Sequence, residues 1–469
     1  MNRRVIGILA AALCVGCAGL PSKPKPAVLT DAAPLSEPPS GGEAAWPTED
    51  WWKQYRDPTL DRLVDLALES SPTLASAHAR YETARQSVRI ASAATGAQVE
   101  ANGDFSRERF SDNGVFSPSL LGFSWYNQAD LGLQASYTFD WWGKQRQAVE
   151  GAMDQAHASQ AERSAAALML TSSIADSYFG WQADEARIEV ARERESTLER
   201  ERSISEARIR AELDPRDDLE RADSALAEVR EQIAALEGSA KLRVIALAAL
   251  AGRAPAELPE LHVLPLPPVD TRVPDDVRID LLSRRADIVA SRWRVEAAEH
   301  SRASARAEFF PDISVNALIG FQSMDVGTLL DYGSRVPAAT AAIHLPIFDA
   351  GRLKARYGAA QAAVDSAVAS YRDTVVGAAR DVATQASSLA QIAAQRAERR
   401  KSLDAASALQ ASAAARVRQG VVDPRVELRA AETSMQERDA LLQLDAAAVS
   451  ADIGLKRALG GGYDMKATP

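Results

Sequence analysis

The chain has 469 residues, of which a quarter are charged, and its formal net charge is −10. A nucleic-acid binder needs a basic patch, and the sequence shows none. Both cysteines, Cys14 and Cys17, lie at the N-terminus, and the five histidines (78, 157, 262, 300 and 344) include no pair at metal-ligand spacing, which leaves the body without disulfides or a thiolate metal site.

Arg3 and Arg4 precede an eleven-residue apolar run, Val5 to Val15. That run is too short to span a bilayer and has the layout of a processing signal. It ends in Cys14-Val15-Gly16-Cys17, which resembles a bacterial lipobox with Cys14 where Leu is usual. The resemblance implies a signal peptide over 1–16 and a covalent lipid on Cys17. It also implies sorting to the outer membrane, because Ala18 is not Asp. An ordinary secretion signal with two incidental cysteines is the alternative. Residues 17–47 form a tether, with seven prolines between Pro21 and Pro47, a composition that cannot bury a core.

Asp57-Pro58-Thr59 opens a helical pattern, Asp57 as N-cap and Pro58 in the first turn, continuing to about Ala94 with an interruption at Pro72. The period then changes to strict alternation, which predicts strands at about 97–107 and 128–139. Ala97, Val99, Ala101, Gly103 and Phe105 face one way, and Gln98, Glu100, Asn102 and Asp104 the other. A long helix follows from Lys144 to Leu213, reversed at Asp214-Pro215, and a shorter one runs from Arg216 to about Ala251. The connector Pro255 to Pro274 holds six prolines. Asp275 to about Glu308 reads as one helix, followed by strands at about 312–322 and 336–348. A second long helix spans Arg352 to Val422, the chain reverses at Asp423-Pro424, and a last helix from Arg425 ends near Leu459 before three glycines. Val368, Val375, Val382 and Leu389 recur every seven residues, a short coiled-coil seam.

The second half repeats the first. Phe139-Asp140 recurs as Phe348-Asp349 and Asp214-Pro215 as Asp423-Pro424, both at an offset of 209, so the intervening segment reads as duplicated without insertion or deletion. The repeats occupy 48–253 and 276–462, joined by a linker at 254–275 and followed by a tail at 463–469. Strands of this length, apolar on one face and polar on the other, suit a membrane barrel. Aromatics at the strand ends (Phe116, Phe123, Trp125, Tyr126; Trp141, Trp142, Phe309, Phe310, Phe348) suit the bilayer interfaces. A soluble sandwich is the alternative, but four strands in a mostly helical chain make a poor one. Four strands also cannot close a barrel alone, so the chain must oligomerise to cover its edges.

Several segments then resemble the TolC-type outer-membrane efflux channels, specifically the NodT-like lipoprotein subgroup. They are Trp51-Trp52-Lys53-Gln54-Tyr55-Arg56-Asp57-Pro58-Thr59-Leu60, Leu247 to Gly252, Arg284-Arg285-Ala286-Asp287-Ile288, Phe309-Phe310-Pro311 and Leu459-Gly460-Gly461-Gly462. Their order and spacing are more specific than any one of them. The resemblance implies a mainly α fold with a membrane β-barrel, built as a homotrimer with a twelve-stranded barrel above an α-helical periplasmic tunnel. It further implies an exit duct in the outer membrane, docked to a periplasmic adaptor and an inner-membrane transporter of the resistance-nodulation-division type. No cofactor beyond the lipid is implied. Thr95-Gly96-Ala97 lacks the proline usual before the first strand, and Ala286 stands where proline is common. Val426 falls where relatives carry a bulky apolar ring, and Ala430 where aspartate is often found, which puts an acidic gate there in question.

The candidate gate lies at the two reversing turns, with Asp214, Asp217, Asp218 and Glu220 in the first repeat and Asp423, Arg425, Val426, Glu427 and Ala430 in the second. Opposite charges on adjacent helices can latch the tip closed, and rings of side chains select permeants. Solvated turn residues and caps are the plainer alternative for each. A lipidated periplasmic adaptor with a coiled-coil hairpin is the rival function, but it would carry one hairpin flanked by lipoyl-like halves. Catalysis is not expected, because no phosphate loop, G-x-S-x-G or H-E-x-x-H pattern occurs.

Overall fold

The computed structural model describes residues 22, 25, 27–29, 45–114, 117–270, 272 and 277–463. Cys17 with its signal segment, Phe116 and the tail from 464 lie outside the described residues. The chain divides into two units, and each is described separately.

The first unit draws on Glu82–Ala158 and Arg292–Ser370. It contains β1 (Gln98–Arg109), β2 (Trp125–Phe139), β3 (Asp312–Ser323) and β4 (Arg335–His344), which form one antiparallel sheet in chain order. The register aligns the alternating residues of all strands. Ala101, Leu133, Ile319 and Pro337 stand in one row, with Val99, Ala135, Ala317 and Ala339 in the next row on that face. Glu100, Gln134, Leu318 and Ala338 share a row on the other face. Val99, Phe105, Leu131, Leu133, Ile319 and Ile343 are all exposed, so the apolar face has no protein layer against it in the single chain. This contradicts a sandwich, in which those side chains would be covered.

β4 ends at His344, four residues before the expected end. Pro346 explains part of the difference, since it has no N–H to give to the ladder. The loops also carry more structure than expected: a single helical turn at Pro118–Leu121, and two short 3₁₀ turns before β4. At the other end of the sheet the Trp142 indole N–H donates to the Pro311 carbonyl at 3.0 Å, and its ring stacks on Phe310 at 4.6 Å.

The second unit comprises Thr30–Tyr81, Ser159–Ser291 and Tyr371–Pro469. Its core gathers Trp51, Trp52, Leu60, Leu63, Val64, Ile174, Tyr178, Phe179, Leu247 and Ile453. Helix α1 (Pro58–Ser70) begins where the sequence indicates: the Asp57 carboxylate accepts from the Thr59 and Leu60 N–H groups at 2.9 and 3.2 Å. The buried Tyr178 hydroxyl donates to the second oxygen of Asp57 at 2.8 Å, tying the cap to the core. After α2 (Pro72–Ala93), the helices are α3 (Lys144–Arg210), α4 (Asp217–Ala251), α5 (Val277–Arg284), α6 (Ala286–Ala307), α7 (Arg352–Arg418) and α8 (Arg425–Ala458). The single helix expected over 275–308 is broken at Arg285, whose guanidinium reaches Asp287 at 2.6 Å and the Ala458 carbonyl at 3.1 Å. On α7 the heptad residues Val375, Val382 and Leu389 are buried, as are Val364, Tyr371 and Ala378 at the complementary heptad position.

α3 and α7 are both 67 residues long. Their starts and ends are offset by 208, not 209, which corrects the expectation of a duplication without insertion or deletion. Asp140 precedes its helix by four residues and Asp349 by three. At the far ends, Glu212 and Gly420 take equivalent left-handed conformations (φ 62° and 69°). The next residues, Leu213 and Val421, donate back to the Arg208 and Arg416 carbonyls at 2.9 and 3.1 Å. These are the six-to-one bonds of a Schellman stop. The first repeat then enters Asp214 at once, whereas the second inserts Val422. A one-residue deletion before the helix and a one-residue insertion after it cancel in the dipeptide spacing.

Candidate functional site

The reversing turns of the second unit assemble a compact charge network. Asp214 is its centre, with a side chain only 9% exposed. Arg208, in the last turn of α3, donates to both Asp214 oxygens at 2.7 and 3.0 Å. Arg425 donates to Asp214 Oδ2 from the other repeat at 2.8 Å. Asp423 holds Arg425 in place, accepting from its backbone N–H at 2.8 Å and pairing with its guanidinium at 3.2 Å. Arg208 also comes within 3.4 Å of Asp423, and Asp218 within 3.8 Å of Arg425. The Arg208 guanidinium holds the Asp214 carboxyl below its ordinary value, with Arg425 adding to the effect. Arg425 does the same for Asp423.

The structure therefore brings together Asp214, Asp218, Asp423 and Arg425 of the sequence candidates. Asp217 and Glu220 are exposed and join none of these pairs, Val426 is exposed, and Glu427 and Ala430 are half-buried outside the network. Arg208 was missed. It lies six residues before Asp214, inside what reads as featureless helix, and only the Schellman reversal folds it back over the turn.

Further from the turn, α3 and α8 are joined by pairs between residues more than 200 positions apart. Arg429 meets Glu201 at 3.0 Å, Arg438 meets Glu193 at 3.1 Å, and Arg187 meets Asp439 at 2.7 Å. The first two are exposed at one or both partners and hold weakly, whereas Asp439 is buried and takes two bonds from Arg187. Among the described residues no helix is long and apolar enough to cross a membrane, and no cluster of His, Cys, Asp or Glu is placed to hold a metal ion.

A duplicated strand-pair and long-helix hairpin, with one lipid-compatible sheet face, defines an outer-membrane efflux channel subunit of the TolC type. Residues 63–253 and 278–461 match the family described as outer membrane efflux protein, and the chain belongs to that family. It is 32% identical over 427 residues to the multidrug resistance outer membrane protein MdtP of Shigella flexneri, covering 90% of this chain and 88% of that one. Among solved structures it resembles the outer-membrane channel OprN, with a TM-score of 0.84 and 26% identity over 95% of this chain and 99% of that one. It also resembles the outer membrane protein VceC of Vibrio cholerae, with a TM-score of 0.79 and 31% identity over 89% and 100% of the two chains.

Proposed function

We propose that three copies of this chain assemble into the exit duct of a tripartite efflux pump. The observation that carries this reading is the four-stranded sheet, apolar along one face and open at the outer edges of β1 and β4. Pairing β1 of one copy with β4 of the next covers both edges, and three such sheets give twelve strands, within the range of membrane barrels. The cargo is small molecules passing through passively, in keeping with the multidrug resistance name carried by the MdtP relative. A periplasmic adaptor and an inner-membrane transporter of the resistance-nodulation-division type are the partners, and lipid on Cys17 anchors the N-terminus in the outer membrane. The family match does not favour the rival adaptor reading.

Within this reading, the Arg208, Asp214, Asp423 and Arg425 network is the latch of the periplasmic mouth. Water reaches Arg208 and Asp423 more than Asp214 and Arg425, so this is a partly shielded network that adaptor binding has to break to open the mouth. Detergent extraction followed by native mass measurement and planar-bilayer recording tests the whole reading. A trimer with discrete conductance steps, larger in Arg425→Ala, is expected. A water-soluble monomer without conductance would refute the duct, and unchanged conductance in Arg425→Ala would remove the latch alone. The anchor has its own test: Cys17→Ser should lose the acyl mass shift.

A further inference from the structure

α6 crosses α3 in the first unit at close range. A Cβ on Gly151 would lie 3.3 Å from the Ala297 carbonyl and 3.4 Å from His300 Cβ, so the missing side chain permits the approach. At this crossing the His300 ring sits between two helical turns of α3. Its Nδ1 is 2.8 Å from Gln147 Oε1 and 3.2 Å from Glu150 Oε2. The Gln147 amide is oriented by donating its own N–H to Glu150 at 2.8 Å, so its carbonyl oxygen faces the ring. On the other side, Nε2 is 3.4 Å from Asp154 Oδ2. That oxygen is buried and accepts no hydrogen bond.

Neutral imidazole carries one N–H and one lone pair. With acceptors at both nitrogens, a neutral ring donating to Gln147 turns its Nε2 lone pair toward a buried carboxylate. One further proton, on Nε2 or on Asp154, turns that repulsion into attraction. We propose that His300 and Asp154 hold a shared proton that clamps α6 onto α3, making this crossing a pH-sensitive joint.

Other titratable groups facing the pair are Glu150 and His157 on α3 and Glu296 on α6. His157 is occupied against the Trp293 ring at 4.7 Å. On α7, Gln361 is bound to Arg302 of α6 at 2.9 Å, and Arg356 is paired with Glu308 at 2.6 Å. Arg302 is also paired with Glu299, and Arg294 of α6 lines the gap beside Gly151. Burial pushes the Asp154 carboxyl up from its ordinary value against the opposing charge of His300, which suits a proton kept at the crossing. Because the folded crossing holds this proton, the clamp is complete at low pH and is lost as pH rises.

The inference does not depend on the duct or the latch, and its test needs no transport. Hydrogen exchange on the full-length detergent-solubilised protein is compared at pH 5.5 and 8.0, with intrinsic exchange divided out. Peptides covering 144–158 and 292–305 should exchange about threefold faster or more at the higher pH. His300→Gln should abolish that difference, and so should Asp154→Asn, whose amide can donate to a neutral ring and whose shape is unchanged. His157→Gln should keep it. No pH dependence in the wild type would overturn the proposal, as would a wild-type dependence surviving in either His300→Gln or Asp154→Asn.

Discussion

Replacing Leu133 by Arg tests the assignment of the two sheet faces. Leu133 pairs with Ala101 on one side and Ile319 on the other, so it lies inside the sheet and away from its edges. Along β2 it is eight residues from Trp125 and six from Phe139. At about 3.4 Å per residue and a tilt near 40°, that is roughly 21 and 16 Å from aromatic residues at the two ends. This depth is close to a bilayer midplane. Arg on a lipid-facing midplane position costs about 2–4 kcal/mol, and a trimer carries the substitution three times. Ile343 is on the same face but second from the end of β4, where Arg costs about 0–1 kcal/mol. Gln134→Arg provides the opposite-face control, because Gln134 shares its row with Glu100. Folding into lipid vesicles, followed by heat-modifiable gel migration and denaturant titration, should rank Leu133→Arg far below Ile343→Arg and Gln134→Arg. Equal damage from Leu133→Arg and Gln134→Arg would refute the face assignment. Equal damage at Leu133 and Ile343 would refute the bilayer, because a soluble packed face has no such depth profile.

Three further outcomes follow from local chemistry. Asp214 and Asp423 are held below the ordinary carboxylate value of 3.8, so their contribution to the proposed latch is complete above that value and lost as pH falls beneath it. Single-channel conductance should therefore stay flat from pH 7 to 5 and rise only below about 4, with the rise missing in Arg425→Ala. Glu212 adopts the left-handed region that Gly420 occupies in the other repeat, so Glu212→Gly should stabilise that turn by about 1 kcal/mol in chemical unfolding, and a destabilisation would be inconsistent with the strain. Asp57→Ala removes a cap worth about 1 kcal/mol and leaves the buried Tyr178 O–H without its acceptor, though Gln182 still donates to that hydroxyl, at a further cost of about 1–3 kcal/mol. Adding Tyr178→Phe should recover part of that loss, and strict additivity of the two substitutions would show that the bond is not a coupled unit.

The strands, the reversing turns and the Asp57 cap were legible in the sequence because each rests on local chemistry: period-two alternation, Asp-Pro, and Asp before a proline-led helix. The shared apolar face excludes slips of one residue, which would turn every side chain over, but slips of two keep the faces, so the exact register was not legible in the sequence. The charge network was only half legible. Asp214, Asp423 and Arg425 are marked by the turns, but Arg208 is marked by nothing local. The α3–α8 pairs and the His300 crossing were also out of reach. They join residues from different repeats or different strand-helix segments, and sequence spacing carries no information about which helices lie side by side. Asp217, Glu220 and Glu427 show the opposite error, since acidic character at a turn does not make a residue part of its network.

The one-residue slip between the repeats gives Val422 a role that neither composition nor spacing suggested. Both long helices stop with the same Schellman bonds, so the turns differ only after Leu213 and Val421. In the first repeat Asp214 follows immediately. In the second, Val422 carries Asp423 and Arg425 onward by up to about 3.6 Å of chain. That extra reach lets Arg425 meet Asp214 at 2.8 Å while remaining bonded to Asp423. Deleting Val422 leaves both helix stops intact and makes the two turns equal. Helical circular dichroism should be unchanged, and the pair should be stretched beyond contact. Conductance should then rise to the level of Arg425→Ala, with no additional rise when the two changes are combined. If the deletion leaves wild-type conductance while Arg425→Ala raises it, the extra residue is slack in the turn and the asymmetry between repeats has no part in the latch.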